Sequence, residues 1–288
     1  MTHQTATPAA PQAPAGSTDC PMLSVQDLTV VLGSGARSAT ILKKVSLDVR
    51  RGRTVGLVGE SGSGKSTLAR TLVGALPPSS GRIVFNGAEV GRMTRAHTRK
   101  LRRQVQLIPQ DPYSSLNPRR TIGQALAEAI DPLRADPVRE RFRISHWLAK
   151  VSLDPEAAGR YPHEFSGGQR QRIAIARALA VEPELVIADE ITSALDLTTQ
   201  AEILNLLADL RRELGLTMLF ISHNLAVVRH VSDEVVVLYR GDVVESGNVD
   251  RVYAAPEHPY TRRLLDSVPG GPGFNIDADL EPADRAAG

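Results

Sequence analysis

The 288-residue chain has one cysteine, no apolar run long enough for a membrane helix and almost no charge imbalance. A single thiol, Cys20, excludes an internal disulfide framework and a thiolate metal site, and it favours a reducing, cytoplasmic compartment. Since a membrane helix needs about 18 consecutive apolar residues, we expect any association with a membrane to be peripheral. With 34 basic and 32 acidic residues, the chain lacks the strong positive field that attracts nucleic acid.

The two ends of the chain lack the patterns that build a hydrophobic core. Residues 1–21 contain four prolines but neither Lys nor Arg and no apolar run. They therefore do not match a secretory signal, and they predict a disordered tail. Residues 269–288 are rich in Pro and Gly and then acidic, which predicts a second flexible tail. We expect residues 22–268 to form the folded unit.

Within this unit, strand patterns alternate with helix patterns. Two alternating segments flank the turn at 33–38 and predict an antiparallel pair, and a hairpin follows at Asn86–Gly87. The stretch 111–180 loses strand character and predicts an inserted helical subdomain, and a helix with a Gly215 stop follows it. The fold class is therefore α/β, with a parallel sheet covered on both faces. The predicted strands are Leu23–Val31, Ile41–Val49, Thr54–Val58, Ile83–Phe85, Leu185–Ala188, Thr217–Ile221 and Val235–Leu238.

A phosphate-binding pattern directly follows the strand Thr54–Val58. Residues 59–66, GESGSGKS, match G-x-x-x-x-G-K-[ST], in which glycines turn backbone N–H groups toward phosphate oxygens. Lys65 supplies charge at the β- and γ-phosphates, and the Ser66 hydroxyl can bind Mg²⁺. An ordinary Gly-rich turn is the alternative, but a chance match is on the order of one in a hundred for such a chain. The predicted nucleotide-binding residues are Gly59, Glu60, Ser61, Gly62, Ser63, Gly64, Lys65, Ser66 and Thr67.

Two carboxylates end the apolar strand that begins at Leu185. Ligands of parallel sheets bind at the carboxyl ends of the strands, so Asp189 is placed to hold Mg²⁺. Glu190 could then take a proton from the attacking water. Such a pair alone usually marks a strand that enters a polar loop. Together with the phosphate loop, it predicts a site of nucleotide hydrolysis.

A second Gly-rich segment, Phe165-Ser166-Gly167-Gly168-Gln169, precedes a helix predicted at Arg170–Ala180. It is either a second backbone cradle for phosphate or only a helix cap. Here the chain resembles the ABC ATPase family, whose signature is Leu-Ser-Gly-Gly-Gln; Phe165 replaces the leading Leu. The phosphate loop, this signature and Asp189-Glu190 stand in the family's order. The resemblance implies a P-loop NTPase (RecA-like) core with an antiparallel β subdomain, the helical insert, and ATP and Mg²⁺ as ligands.

The resemblance also assigns roles to single residues. Gln110 resembles the glutamine that touches Mg²⁺ and the attacking water, although Pro109 stands where Phe is usual. His223 resembles the histidine that contacts the γ-phosphate, and residues 193–196 resemble the loop at the interface of the ATPase dimer. Ser166–Gln169 would contact ATP that is bound to a partner subunit.

One feature of the family is missing. ABC ATPases usually stack adenine on an aromatic side chain near the end of the first strand, and alignment puts Leu32 at that place. No Phe, Tyr or Trp occurs before Phe85, so a shift of register cannot supply one. We therefore expect a weaker contact with adenine.

Two further runs, QDPYSSLNPR at 110–119 and HPYTRRLL at 258–265, resemble the oligopeptide, dipeptide and nickel importer branch, and its second type of ATPase subunit most closely. They imply an extension at about 248–268, two permeases, a companion ATPase subunit or a homodimer, and an extracytoplasmic solute-binding protein. The chain would act on the cytoplasmic face of the cell membrane, and we expect peptide transport. A nickel or other small-solute importer is the alternative within transport, and a soluble ABC ATPase is the alternative outside it.

A basic stretch between Arg92 and Arg103 could indicate contact with nucleic acid or lipid. Its helical spacing and its lack of interleaved aromatics favour a solvated helix face instead. We therefore expect no nucleic-acid partner.

Overall fold

The computed structural model describes residues 20–33, 35–90 and 95–267, which form ten strands and ten α-helices. The tail predicted at 269–288 lies outside these residues, as does the tail predicted at 1–21 except for Cys20 and Pro21. The strands are β1 (Leu23–Leu32), β2 (Ala39–Val49), β3 (Thr54–Val58), β4 (Ser80–Phe85), β5 (Ala88–Glu89), β6 (Val105–Ile108), β7 (Leu185–Asp189), β8 (Thr217–Ser222), β9 (Glu234–Tyr239) and β10 (Asp242–Asn248). The helices are α1 (Lys65–Leu72), α2 (Arg95–Gln104), α3 (Pro112–Ser115), α4 (Ile122–Ile130), α5 (Arg141–Lys150), α6 (Gly167–Leu179), α7 (Leu197–Leu214), α8 (Leu225–Val231), α9 (Val249–Ala254) and α10 (Pro259–Asp266).

The strands form two sheets. The larger sheet has the order β10-β9-β3-β8-β7-β6, and its neighbouring strands are parallel except for the antiparallel pair β10 and β9. The smaller sheet is antiparallel, with the order β2-β1-β4-β5. The predicted combination of a parallel core with an antiparallel subdomain is therefore confirmed. Because β3, β8, β7 and β6 are consecutive and parallel, their carboxyl ends lie along one edge of the larger sheet.

Side chains of the larger sheet alternate between two hydrophobic cores. On β8, Leu219 and Ile221 join the core that contains β1, β2 and α1, whereas Met218 and Phe220 join the core that contains α4 to α8. This alternation follows from the two-residue period of a strand. Gly56 lets α8 pack closely on β3, because a Cβ there would lie 2.3 Å from Cγ1 of Val228. Both faces of the sheet are thus covered, as the apolar strands predict.

The helical insert is also present, with α3 to α6 inside the stretch 111–180. α6 begins at Gly167, three residues before the predicted start at Arg170. The reason is a capping box: Ser166 Oγ accepts from the amide of Gln169, and the Gln169 side chain accepts from the amide of Ser166. The predicted stop of α7 is confirmed, since Gly215 has φ 62° and caps this helix in the left-handed conformation.

The basic stretch lies on α2. Leu101 is buried, while Arg99, Lys100, Arg102 and Arg103 are exposed, so the helix packs through Leu101 and turns these basic side chains outward. Arg92 lies outside the described residues. No helix in the described part of the chain is both long and apolar enough to span a membrane.

Candidate functional site

The phosphate loop joins β3 to α1 and packs tightly on its neighbours. Gly59 has φ 157°, and a Cβ there would lie 2.1 Å from the carbonyl oxygen of Leu238 in β9. Gly64 has φ 111°, and its Cβ would lie 2.7 Å from Cδ2 of Leu42 in β2. A side chain at position 59 would displace the backbone of β9, and one at position 64 would displace Leu42 in the core. Both positions therefore require glycine. The loop is therefore held between both sheets.

Lys65 points back into this loop. Its side chain is 4% exposed, and its Nζ donates to the carbonyl oxygens of Gly59 at 2.7 Å and Glu60 at 2.9 Å. Nζ also lies 3.4 Å from Oε1 of Glu190. An ammonium group has three N–H donors and loses its hydration on burial. These three oxygens replace the lost water molecules as partners. Phosphate oxygens of a nucleotide could take the places of the Glu60 carbonyl and the Glu190 carboxylate beside Nζ.

Ser66 and Asp189 bring two oxygen ligands together. The Ser66 hydroxyl, in the first turn of α1, donates to Oδ1 of Asp189 at 3.2 Å. Asp189 ends β7 and is 6% exposed. Burial raises the pKa of this carboxyl above its usual range, against the lowering effect of the bond from Ser66. A hydroxyl and a carboxylate in contact are a suitable donor set for Mg²⁺.

Glu190 lies at the centre of the site. Oε1 faces Lys65, and Oε2 accepts from Nε2 of Gln110 at 3.3 Å and lies 3.5 Å from Nδ1 of His223. The Glu190 side chain is only 15% exposed. Its backbone has φ 47°, and its amide donates to the carbonyl oxygen of Ile221 at 2.9 Å. Gln110 follows β6, Glu190 follows β7 and His223 follows β8, so three adjacent strand ends deliver these side chains.

Ser193 is a further member of this cluster that motif reasoning placed only at a dimer interface. Its hydroxyl accepts from Nε2 of Gln110 at 3.2 Å and donates to the carbonyl oxygen of Glu190 at 2.9 Å. Ser193 therefore connects Gln110 to the backbone of Glu190. Its position three residues after Glu190, in the turn that leaves β7, is the sequence signal that could have indicated this contact.

The signature Ser166–Gln169 is not part of this cluster. Ser166, Gly167 and Gln169 are exposed at the start of α6. Among the described residues, no hydrogen bond or ion pair connects Ser166–Gln169 to the phosphate loop at 59–66 or to Glu190. The chain thus carries a cluster around Lys65 and Glu190, and separately an exposed, capped helix start.

The place expected to contact adenine is also exposed. Leu32, the last residue of β1, is 38% exposed and pairs with Ala39 of β2. Val31 beside it is equally exposed. No aromatic side chain stands in this part of β1, as the sequence predicts.

Comparisons with known proteins identify relatives of this chain. The family model described as ABC transporter matches residues 42–193. A Brucella ovis protein provisionally named a peptide import ATP-binding protein is 49% identical over 253 residues, which cover 88% of this chain and 80% of that protein. A Brucella abortus protein with the same kind of name is 54% identical over 228 residues, 78% of this chain and 68% of that one.

Solved structures show the same fold. The structure of cbiO1 from Clostridium perfringens, described as part of the ABC transporter complex cbiONQ, superimposes with a TM-score of 0.72 at 30% identity, over 82% of this chain and 91% of that chain. The dimeric ATP-binding cassette MJ0796 with ADP and Pi superimposes with a TM-score of 0.70 at 30% identity, over 79% of this chain and 99% of that chain. The chain therefore belongs to the ABC transporter family, has its P-loop NTPase fold, and is one of its ATP-binding and ATP-hydrolysing subunits.

Proposed function

We propose that this chain lies on the cytoplasmic face of a membrane and from there drives the import of di- or oligopeptides. It would act with two permeases, a homologous companion ATPase and an extracytoplasmic binding protein. The names of the Brucella relatives support the peptide substrate. The observation that carries the catalytic part is the largely buried Glu190, whose carboxylate is held among Lys65, Gln110 and His223.

Each residue of the cluster has a role that its contacts support. The phosphate loop and Lys65 bind the β- and γ-phosphates, whose oxygens replace the Glu60 carbonyl and the Glu190 carboxylate around Nζ, while the Gly59 carbonyl keeps its bond to Lys65. Once Lys65 turns to phosphate, the Glu190 carboxylate is released to accept a proton from the attacking water. His223 contacts the γ-phosphate and Gln110 positions the water, since both already lie against Oε2 of Glu190.

A Mg²⁺ site is the second part of the proposal. The Ser66 hydroxyl and the Asp189 carboxylate supply hard oxygen ligands in direct contact, and the side-chain oxygen of Gln110 is the third proposed ligand. Because burial disfavours the charged form of Asp189, a cation beside it would compensate that cost. A bound Mg²⁺ would supply neutralisation of the phosphate charge during hydrolysis.

A groove of about 560 Å³ next to Gln110 supports the proposed contact with a permease. It lies between α2, β6, α4 and α6, and its lining includes Leu107 of β6 and Pro109, which directly precedes Gln110. Basic side chains of Arg102 and Arg103 share the groove with Leu133, which is 89% exposed. A cytoplasmic permease helix with apolar and acidic side chains would fit this lining, and it would contact the segment that ends in Gln110.

The decisive experiment uses the whole transporter. The chain, its permeases and the companion ATPase are purified together and reconstituted in liposomes with the binding protein. We expect labelled peptides to enter the liposomes and to stimulate ATP hydrolysis, and a complex with Lys65→Ala to do neither. Stimulation by Ni²⁺ but by no peptide would refute peptide import. Hydrolysis that is insensitive to permeases and to every solute would refute a role in transport.

A further inference from the structure

Tyr260, in the C-terminal helix α10, reaches the phosphate loop. Its hydroxyl accepts a hydrogen bond of 2.9 Å from the backbone N–H of Glu60, across 200 residues of sequence. Tyr260 is 1% exposed, so this bond is shielded from water. Burial raises the pKa of Tyr260 above its usual range, and the hydroxyl is therefore neutral at physiological pH.

The N–H of Glu60 belongs to the same peptide group as the carbonyl oxygen of Gly59, which accepts from Nζ of Lys65 at 2.7 Å. In a planar trans peptide the N–H and the C=O point in opposite directions. The hydroxyl of Tyr260 on one side therefore determines that the Gly59 carbonyl faces Lys65 on the other. Gly59 has no side chain to restrict rotation of this peptide, so the hydroxyl adds a second restraint to the bond from Lys65.

Tyr260 is itself held firmly. Its ring packs on the ring of Tyr239, with 4.1 Å between centroids, and its amide donates to Nδ1 of His258, which caps α10. Glu245 of β10 accepts from the amides of Glu257 at 2.8 Å and His258 at 3.1 Å. The start of α10 is thus fixed to β10, and the tyrosine hydroxyl is presented to the loop from a rigid support.

We propose that Tyr260 is a positioning residue of the nucleotide site, which holds the Gly59–Glu60 peptide in the orientation that places Lys65 for phosphate binding. The proposal rests on the assignment of residues 59–66 as the phosphate loop. It gives the C-terminal segment 258–265 a function inside the ATP site of its own chain. Because the hydroxyl bonds to the loop backbone and not to Glu190, Gln110 or His223, the proposed contribution is to nucleotide binding rather than to the chemical step.

The test is Tyr260→Phe in the full-length chain, which removes the hydroxyl and keeps the ring. One hydrogen bond of this type corresponds to an effect of about 2- to 10-fold on an equilibrium. We expect the dissociation constants for ATP and ADP, measured by titration calorimetry, to rise by that factor. We expect the KM for ATP to rise in parallel and kcat to stay within about twofold, which is the pattern of a uniform loss of binding.

Two control variants separate positioning from general stability. Tyr253→Phe removes a partly buried hydroxyl of the neighbouring helix α9, one that donates to the carbonyl oxygen of Leu225 at 2.6 Å, away from the loop. It should lower the melting temperature without changing nucleotide affinity. Tyr239→Phe keeps the ring that packs on Tyr260 and should bind ATP like the wild type.

The outcomes are distinct. Unchanged ATP and ADP affinity in Tyr260→Phe, or an equal loss of affinity in Tyr253→Phe, would overturn the positioning role. Lys65→Ala tests the underlying assignment: if it binds ATP as tightly as the wild type, residues 59–66 are not the phosphate site. If Lys65→Ala loses binding while Tyr260→Phe does not, only the inference about Tyr260 fails.

Discussion

At the scale of single residues, Glu190 combines an unusual backbone with a specific set of partners. Its φ of 47° is a left-handed backbone conformation that residues other than glycine seldom adopt. The hydrogen bond from the Glu190 amide to the carbonyl oxygen of Ile221 holds this conformation. Strained positions of this kind persist where the surrounding structure determines them. Here the conformation follows the buried end of β7 and puts the carboxylate between Lys65 and His223.

We expect Glu190→Gln to bind ATP with Mg²⁺ but to hydrolyse it at least ~10²-fold more slowly, because an amide cannot accept the proton of the attacking water. Single-turnover hydrolysis and a separate binding titration measure the two effects. Glu182→Gln is the matched control, since Glu182 also has a positive φ but forms an ion pair with Arg143 at the surface. Turnover by Glu190→Gln near the wild-type rate would exclude Glu190 as the base.

Leu32 allows a second test at this scale. Leu32→Tyr should tighten ATP binding, because an aromatic ring stacked on adenine can add ~0.5–1.5 kcal/mol beyond burial. The measurement is the dissociation constant for ATP, compared with Val31→Tyr, which introduces the same ring at an equally exposed neighbour. If Leu32→Tyr binds ATP no more tightly than the wild type, adenine is held elsewhere.

At the scale of elements, α6 begins inside the signature, and the two adjacent glycines in its first turn have different surroundings. A Cβ on Gly168 would lie 2.4 Å from Cγ2 of Thr199 in the first turn of α7, whereas a Cβ on Gly167 would lie 3.7 Å from Leu195. The Thr199 side chain cannot easily rotate away, because its hydroxyl donates to Asp196 at 2.8 Å. The close approach of the two helices therefore depends on Gly168.

We expect opposite effects on stability at these two positions. Gly168→Ala should lower the free energy of unfolding by about 1–3 kcal/mol through overpacking. Gly167→Ala should raise it by up to about 1 kcal/mol, because alanine favours the helix and fits without a clash. Urea unfolding gives both values. Thr199→Ser, which removes Cγ2, should rescue Gly168→Ala; if it does not, the clash is not the cause of the loss.

At the scale of the whole molecule, the residues around Glu190 and the signature Ser166–Gln169 lie on separate parts of one chain. Lys65 and Glu190 lie at the edge of the larger sheet, while Ser166 is exposed at the start of α6. A two-fold or pseudo-two-fold pair of such chains, arranged head to tail, would place each signature against the other subunit's phosphate loop and complete both sites at once. This arrangement is the one we propose, and it makes the isolated chain a weak ATPase.

Ser166→Arg tests this assembly, because it puts bulk and charge into the proposed cradle. It should impair hydrolysis of ATP bound by the partner subunit and leave binding at the chain's own Lys65 nearly intact. Labelled nucleotide in a mixed complex, with one subunit altered at a time, separates the two sites. Ser166→Thr keeps a hydroxyl that can cap α6 and serves as the control for folding. Loss of nucleotide binding by the isolated Ser166→Arg chain would refute the shared site.

The sequence by itself determined the fold class and indicated Lys65, Asp189 and Glu190, because each is part of a local pattern: an apolar strand, then a polar strand end or a Gly-rich loop. Gln110 and His223 carry no such pattern, and only the family resemblance assigned them. Each end of a predicted strand lies within three residues of the observed end, and several coincide with it. By contrast, α8, α9, α10 and β10 were not predicted. They are only six to eight residues long, and segments this short are stabilised by packing rather than by their own periodicity.

Only the tertiary structure decided which strand ends are neighbours and what supports the phosphate loop. The order β3-β8-β7-β6 places Gln110, Glu190 and His223 within one cluster, and nothing in the spacing of these residues along the chain specifies that order. The contact of Tyr260 with Glu60 spans 200 residues. A local pattern encodes how a segment folds and which face it buries, but the partner of a buried side chain depends on how all the segments pack together.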